Sequence, residues 1–70
     1  MKEIDLAYII QRRLERGLTQ QEMAESLGFK HASSYLKYEK GEYEFKAGHL
    51  PILAKKLHCG LQDLFGRTYC

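Results

Sequence analysis

The stretch LTQQEMAESLG, Leu18 to Gly28, leaves this chain little freedom. Thr19 is followed three residues later by Glu22, the spacing of a capping box, in which each side chain answers a backbone N–H left unbonded at a helix start. Leu18 and Met23 flank the box as a hydrophobic staple. Gly28 stops the helix after roughly two turns, in the left-handed position that glycine prefers. Ala24, in the middle, is small enough for another helix to approach closely. Packing two such helices requires Met23, Ala24, Leu27, Tyr35 and Tyr38. The glutamines, serines, histidine and lysines on the other side are left to be explained.

Four more helical segments fit around this one, and no alternating strand pattern does. The first spans about 5–16. Asp5 caps it, Ile4 and Ile9 form its staple, Leu6, Ile9, Ile10 and Leu14 make one apolar stripe, and Gly17 ends it. The motif helices span about 20–27 and 32–39, with His31, a mediocre capper, before the latter and Gly41 after it. Tyr35 and Tyr38 are expected to face inward. After the looser EYEFKAGHL, Pro51 opens a helix over about 51–57. GLQDLF makes a short fifth helix over 61–65, and the tail 66–70 frays. The expectation is an all-α, five-helix bundle forming one domain over 1–70.

Seventy residues allow one domain with a small core and little room for an enclosed pocket. No apolar run nears the roughly 18 residues needed to cross a membrane, and the start MKEIDLAYII does not read as a signal peptide. We expect a cytoplasmic chain. Cys59 and Cys70 are too few for a disulfide scaffold. Cys59 reads as a small half-buried residue and Cys70 as a loose thiol, against the rarer reading of a bridge between them. His58–Cys59 is weak as a metal pair, and no cofactor or metal is expected. There is no phosphate-cradling glycine loop and no nucleophile–base pair at recognisable spacing, so we expect no enzyme. The net charge of +2 is too small to name a nucleic-acid partner. The placement of the charges says more: Arg12, Arg13 and Arg16 gather in one segment, and Lys30, His31, Lys37 and Lys40 in another.

Two charges stand on apolar faces. Arg13 lies on the stripe of the first helix, and Glu39 follows Tyr35 and Tyr38 in the third. An unpaired charge turned toward a core costs several kcal/mol. We expect them to meet as an ion pair. The alternative is that each long stem snorkels to water separately.

RRLERGLTQQEMAESLGF, YEKG, LPILAKKL and LQDLF together resemble the lambda-repressor and Cro-like helix-turn-helix proteins, the XRE family, over about Ile9 to Phe65. Gln20, Ala24 and Gly28 keep that family's spacing, and the Arg13–Glu39 pair has a counterpart in its phage repressors. The resemblance implies double-stranded DNA as partner, with the third helix in the major groove. It places Ala32, Ser33 and Lys37 at base-reading positions. Lys37 is suited to guanine, Ser33 to several bases and Ala32 to a thymine methyl. Gln20, Lys30, His31, Lys40 and Lys46 fall to phosphates, with Gln20 also bracing a reading side chain. Three features depart from the pattern. The turn Gly28–His31 is one residue longer than in the phage repressors, which shifts the side chain that leads into the groove. Leu36 is apolar where an outward residue is expected, suiting a thymine methyl, a partner or bare solvent. Glu42 and Glu44 are acidic where a phosphate-facing loop favours bases.

The resulting expectation is a sequence-specific transcriptional regulator, a repressor of phage or mobile-element type. The rival is an antitoxin or accessory module that uses the same fold to bind a protein. Tyr8, Tyr35, Tyr38, Tyr43 and Phe45 are expected in core and loop packing rather than as a base-stacking platform, and His49 and His58 in no special role. One helix reads few base pairs, so a weak homodimer on a palindromic site is expected. Its candidate surfaces are Leu61, Leu64, Phe65, Tyr69 and Leu36.

Overall fold

The computed structural model describes residues 3–66, and its first two helices start where a neighbouring side chain answers a free N–H group. Four α-helices follow in order: α1 Leu6–Glu15, α2 Gln20–Ser26, α3 Ala32–Glu39 and α4 Leu50–Leu57. Asp5 accepts from the Tyr8 N–H at 3.0 Å to open α1. At α2 the capping box is complete. Thr19 Oγ1 accepts from the Glu22 N–H at 3.0 Å, and Glu22 Oε1 accepts from the Thr19 N–H at 2.8 Å. Pro51 sits in the first turn of α4, where its missing N–H costs nothing.

Helix ends follow one pattern. At Gly28 (φ +85°) the chain reverses while the Phe29 N–H reaches back to the Ala24 carbonyl at 2.8 Å and the Gly28 N–H to Glu25 at 3.1 Å. These are the two bonds of a Schellman closure. The same pair of bonds closes α1 and α3. At α4 the left-handed position belongs to His58 (φ +55°), a side chain that pays a steric penalty there. Arg12 compensates: its Nε donates to the Leu57 carbonyl at 2.9 Å and its Nη2 to that of His58 at 3.0 Å.

The core is built from Ile9 of α1, Met23, Ala24 and Leu27 of the second segment, Tyr35 of α3, Leu53, Ala54 and Leu57 of α4, and Leu64. Ala24 is fully buried, and α2 and α3 form the most extensive helix pair.

The expected elements need correction in four places. The fifth helix is a single 3-10 turn, Leu61–Leu64, so the described residues form four α-helices rather than five. Between Gly60 and the extended Phe65 there is room only for i→i+3 bonding. Burial of Leu64, contributing about 2 kcal/mol, fastens the turn to the bundle. Another 3-10 turn, Ala47–His49, lies in the stretch read as loose. Leu14 is 63% exposed, because at 100° per residue it stands about 140° around α1 from Ile9, while Arg13 takes the inward place. Tyr38 is only half-buried and joins an aromatic group outside the core. The tail from Arg67, with Tyr69 and Cys70, lies outside the described residues.

Arg13 and Glu39 are 8% and 4% exposed, and Arg13 Nε donates to Glu39 Oε2 at 2.7 Å. Arg13 Nη1 donates to the Leu18 carbonyl at 3.0 Å. The Tyr35 hydroxyl is buried beside this pair without a hydrogen bond of good geometry. Burial first, and the Glu39 carboxylate second, hold it protonated well above the usual tyrosine range.

Removing one buried partner strands the other. Glu39→Ala should cost about 3–5 kcal/mol in urea denaturation, and Arg13→Met with Glu39→Leu should recover much of it. A single mutant that melts like wild type would mean the pair is not buried in solution. A second expectation concerns pH. The Thr19 N–H, then its hydroxyl, lower the Glu22 carboxyl below the ordinary carboxylate range. Its stabilisation is therefore present above the unfolded value of about 4.3 and lost as pH falls through the lower folded value. The Tm gap between wild type and Glu22→Ala should narrow on acidification, and a widening gap would contradict this.

Candidate nucleic-acid interface

The start of α3 has no cap of its own, for His31 makes no side-chain bond there. The cap comes from α2. Gln21 Oε1 accepts from the Ala32 N–H at 3.0 Å, while its Nε2 donates to the Lys30 carbonyl at 3.1 Å and to Glu25 Oε2 at 3.1 Å. One side chain thus ties the end of the Leu27–His31 turn to the neighbouring helix. Sequence reading missed Gln21. The available signal was the poor cap at His31, which leaves an N–H for some other side chain to satisfy.

Of the positions expected to read bases, Ser33 and Lys37 are exposed and four residues apart, hence on one face of α3. Tyr35 and Glu39 fill the opposite, buried face. Ala32 is half-buried. Lys37 Nζ lies 5.5 Å from the centroid of the Tyr43 ring, a cation–π arrangement that directs the stem toward the following loop. Leu36, expected outward, is half-buried.

The phosphate candidates are spread around this face. Lys30 and His31 are exposed just before α3, and Lys40 is exposed at its far end. Gln20 is half-buried, its Nε2 donating to Glu39 Oε1 over a long 3.4 Å. The buried ion pair therefore reaches the first residue of α2. Lys46 stands apart from the others, sharing a shallow hollow with Glu42, Tyr43 and Glu44. Two exposed carboxylates there weaken the positive potential of the loop.

Behind the loop, Phe29 stacks on Tyr38 with centroids 5.1 Å apart and planes 14° from parallel. Phe45 and Tyr43 pack on Tyr38 from other sides. His49, given no role from sequence, meets Phe29, Tyr38 and Phe45 edge-on, and its Nδ1 accepts from the Lys46 N–H at 3.1 Å. It organises the 3-10 turn and the aromatic group that backs α3. These rings stack on one another, which is packing rather than an open platform for bases.

Two helices joined by a turn, with a buried small residue in the first and an exposed polar face on the second, form a helix-turn-helix unit. A family model described as helix-turn-helix matches residues 9–64, most of the chain. The chain belongs to the XRE-type helix-turn-helix family. No curated protein and no solved structure matches it. The helix-turn-helix family is one of DNA-binding transcription regulators, and α2 and α3 are its helix pair here. Among the described residues no helix is long and apolar enough to cross a membrane, and no three metal-ligating side chains gather.

Gln21→Ala leaves the Ala32 N–H without its partner and frees the turn. We expect a loss of about 1–2 kcal/mol in thermal or urea unfolding, with faster hydrogen exchange at Ala32 than at Met23. Unchanged exchange at Ala32 would show that the clamp does not persist in solution.

Proposed function

We propose that this chain is a sequence-specific repressor of phage or mobile-element type, acting in the cytoplasm and reading the major groove of double-stranded DNA with α3. The observation that carries this reading is the pairing of Ser33 and Lys37 on the exposed face of a helix whose other face is locked by Tyr35 and Glu39. A rigid helix with two adjacent polar side chains suits base edges. Lys37 reaches guanine O6 and N7, Ser33 contacts bases less selectively, and the Ala32 methyl meets thymine. Lys30 and His31 on the near side of α3 and Lys40 on the far side neutralise phosphates, with a smaller share from Lys46 because of Glu42 and Glu44. Gln20 contacts a phosphate from the start of α2.

One such helix covers too few base pairs to select a site in a genome. Two copies therefore pair weakly on a palindromic duplex, with half-sites about one helical turn apart. Of the described candidates for the contact, Leu61 is 46% exposed and Phe65 and Leu36 are half-buried, whereas Leu64 is spent in the core and offers no surface. So small a surface falls well below a standard interface of about 1,600 Å², so pairing depends on DNA.

Selection from a random duplex library tests the reading. Lys37→Ala should relax preference at one or two positions. Lys40→Ala should weaken all duplexes alike and lower the salt slope by about one. An identical motif from wild type and Lys37→Ala removes Lys37 as a reader. A chain with no salt-dependent duplex retention but a tight protein partner would favour the antitoxin or accessory reading instead. Sedimentation of the free protein should show a monomer or weak dimer, and a tight dimer without DNA would overturn the assembly model.

A further inference from the structure

A second charged surface is made by residues that the DNA reading does not use. Arg16 at the end of α1, Lys55 and Lys56 on α4 and His58 just past it line one open groove with Leu18 and Ile52. No carboxylate lines this groove. Among the described residues none of Arg16, Lys55 and Lys56 forms an ion pair, whereas Arg12 and Arg13 both do. Glu22 lies within electrostatic reach of Lys56, but its Oε1 is engaged by the Thr19 N–H. Arg16 Nη2 donates only to the His58 ring, Nε2, at 3.0 Å, so one basic side chain leans on another. The groove also has an apolar floor. Leu18 is half-buried, and Ile52 is 39% exposed on a helix that sends Leu53, Ala54 and Leu57 into the core and leaves Leu50 half-buried.

Gathered like charges repel one another, and an isoleucine beside them stays wet. One chemistry relieves both: carboxylates flanking an apolar side chain. We infer that this groove is a docking site for an acidic segment of a partner protein, with an apolar residue between its acids. The cations set the rate of encounter and its salt dependence, and Ile52 with Leu18 seats the apolar anchor. A nucleic-acid backbone would satisfy the charges but bring no apolar side chain to Ile52. None of the lining residues belongs to α3 or to the positions assigned to DNA, so duplex and partner engage separate residues.

The experiment titrates the isotope-labelled full chain, followed by NMR, with three synthetic peptides. One carries a leucine pair flanked by glutamates, one has lysines in place of the glutamates, and one has serines in place of the leucines. We expect the first alone to bind, shifting Arg16, Leu18, Ile52, Lys55 and Lys56 and leaving Ser33 and Lys37 unmoved. Ile52→Ser and the pair Lys55→Glu/Lys56→Glu should each weaken binding about tenfold or more, while each variant stays folded and keeps wild-type duplex affinity. Equal binding of the serine peptide, or shifts centred on Ser33 and Lys37, would overturn the proposal. Lost duplex affinity in the charge-reversed variant would make the groove a nucleic-acid contact. Self-association abolished by Ile52→Ser would make its occupant a second copy. Duplex binding is read separately, so failure of the groove leaves the DNA reading intact, and the reverse.

Discussion

A single carboxylate joins three of the four helices. Glu39, at the end of α3, accepts from Arg13 of α1 through one oxygen and from Gln20 of α2 through the other. Arg13 in turn holds the Leu18 carbonyl in the turn between α1 and α2. Burying two charges carries a desolvation cost that their attraction offsets only in good geometry, and a well-packed apolar pair is often as stable. An apolar pair, however, has no acceptor for Gln20 and no donor for Leu18. The pair therefore fixes how α2 sits against α1 and α3 by directional bonds, where oily contacts would tolerate a small slide. The exposed face of α3 inherits its position from that arrangement.

Much of this was legible because it is local. The Thr19–Glu22 box, the Asp5 cap and the Pro51 start each depend on side chains within a few residues, and each lies where the spacing puts it. Arg13 and Glu39 were legible for another reason: a charge on an apolar stripe is costly enough to demand a partner, and each was the other's remedy. The errors share the opposite property. Gln21 acts on Ala32 across a turn, and His49 acts on Phe29 and Tyr38 through the folded loop. Neither contact has a fixed spacing. Leu14 was misread because stripe patterns admit both i+3 and i+4, and Arg13 had already taken the inward place.

The outward side of α2 and α3 accounts for the polar residues that packing leaves over, but unevenly. Gln20 and Gln21 are partly structural, holding Glu39 and the start of α3, while Ser33, Lys37 and Lys40 are exposed at the surface. Charge is similarly divided. The loop after Gly41 carries acids beside Lys46, whereas the groove of Arg16, Lys55 and Lys56 has none. A net charge of +2 conceals this segregation, and it is the segregation that an approaching partner experiences.

The bridge between Ile4 and Phe65 makes the described chain a closed ring. The Asp5 N–H donates to the Leu64 carbonyl at 2.7 Å and the Gly66 N–H to that of Glu3 at 2.9 Å, so the first and last described segments run side by side. A short covalent link between them would span little distance. The chain could then be reopened elsewhere, and the exposed stretch Gly41–Glu44 offers a place where no core residue is cut. Such a permuted molecule would begin and end next to α3 and carry any fused domain beside that helix instead of at the bridge. The same closure orders synthesis. A ribosome releases Glu3 to Asp5 long before Leu64 to Gly66, so the N-terminal stretch must wait, unpaired, for the last strand of backbone that completes it.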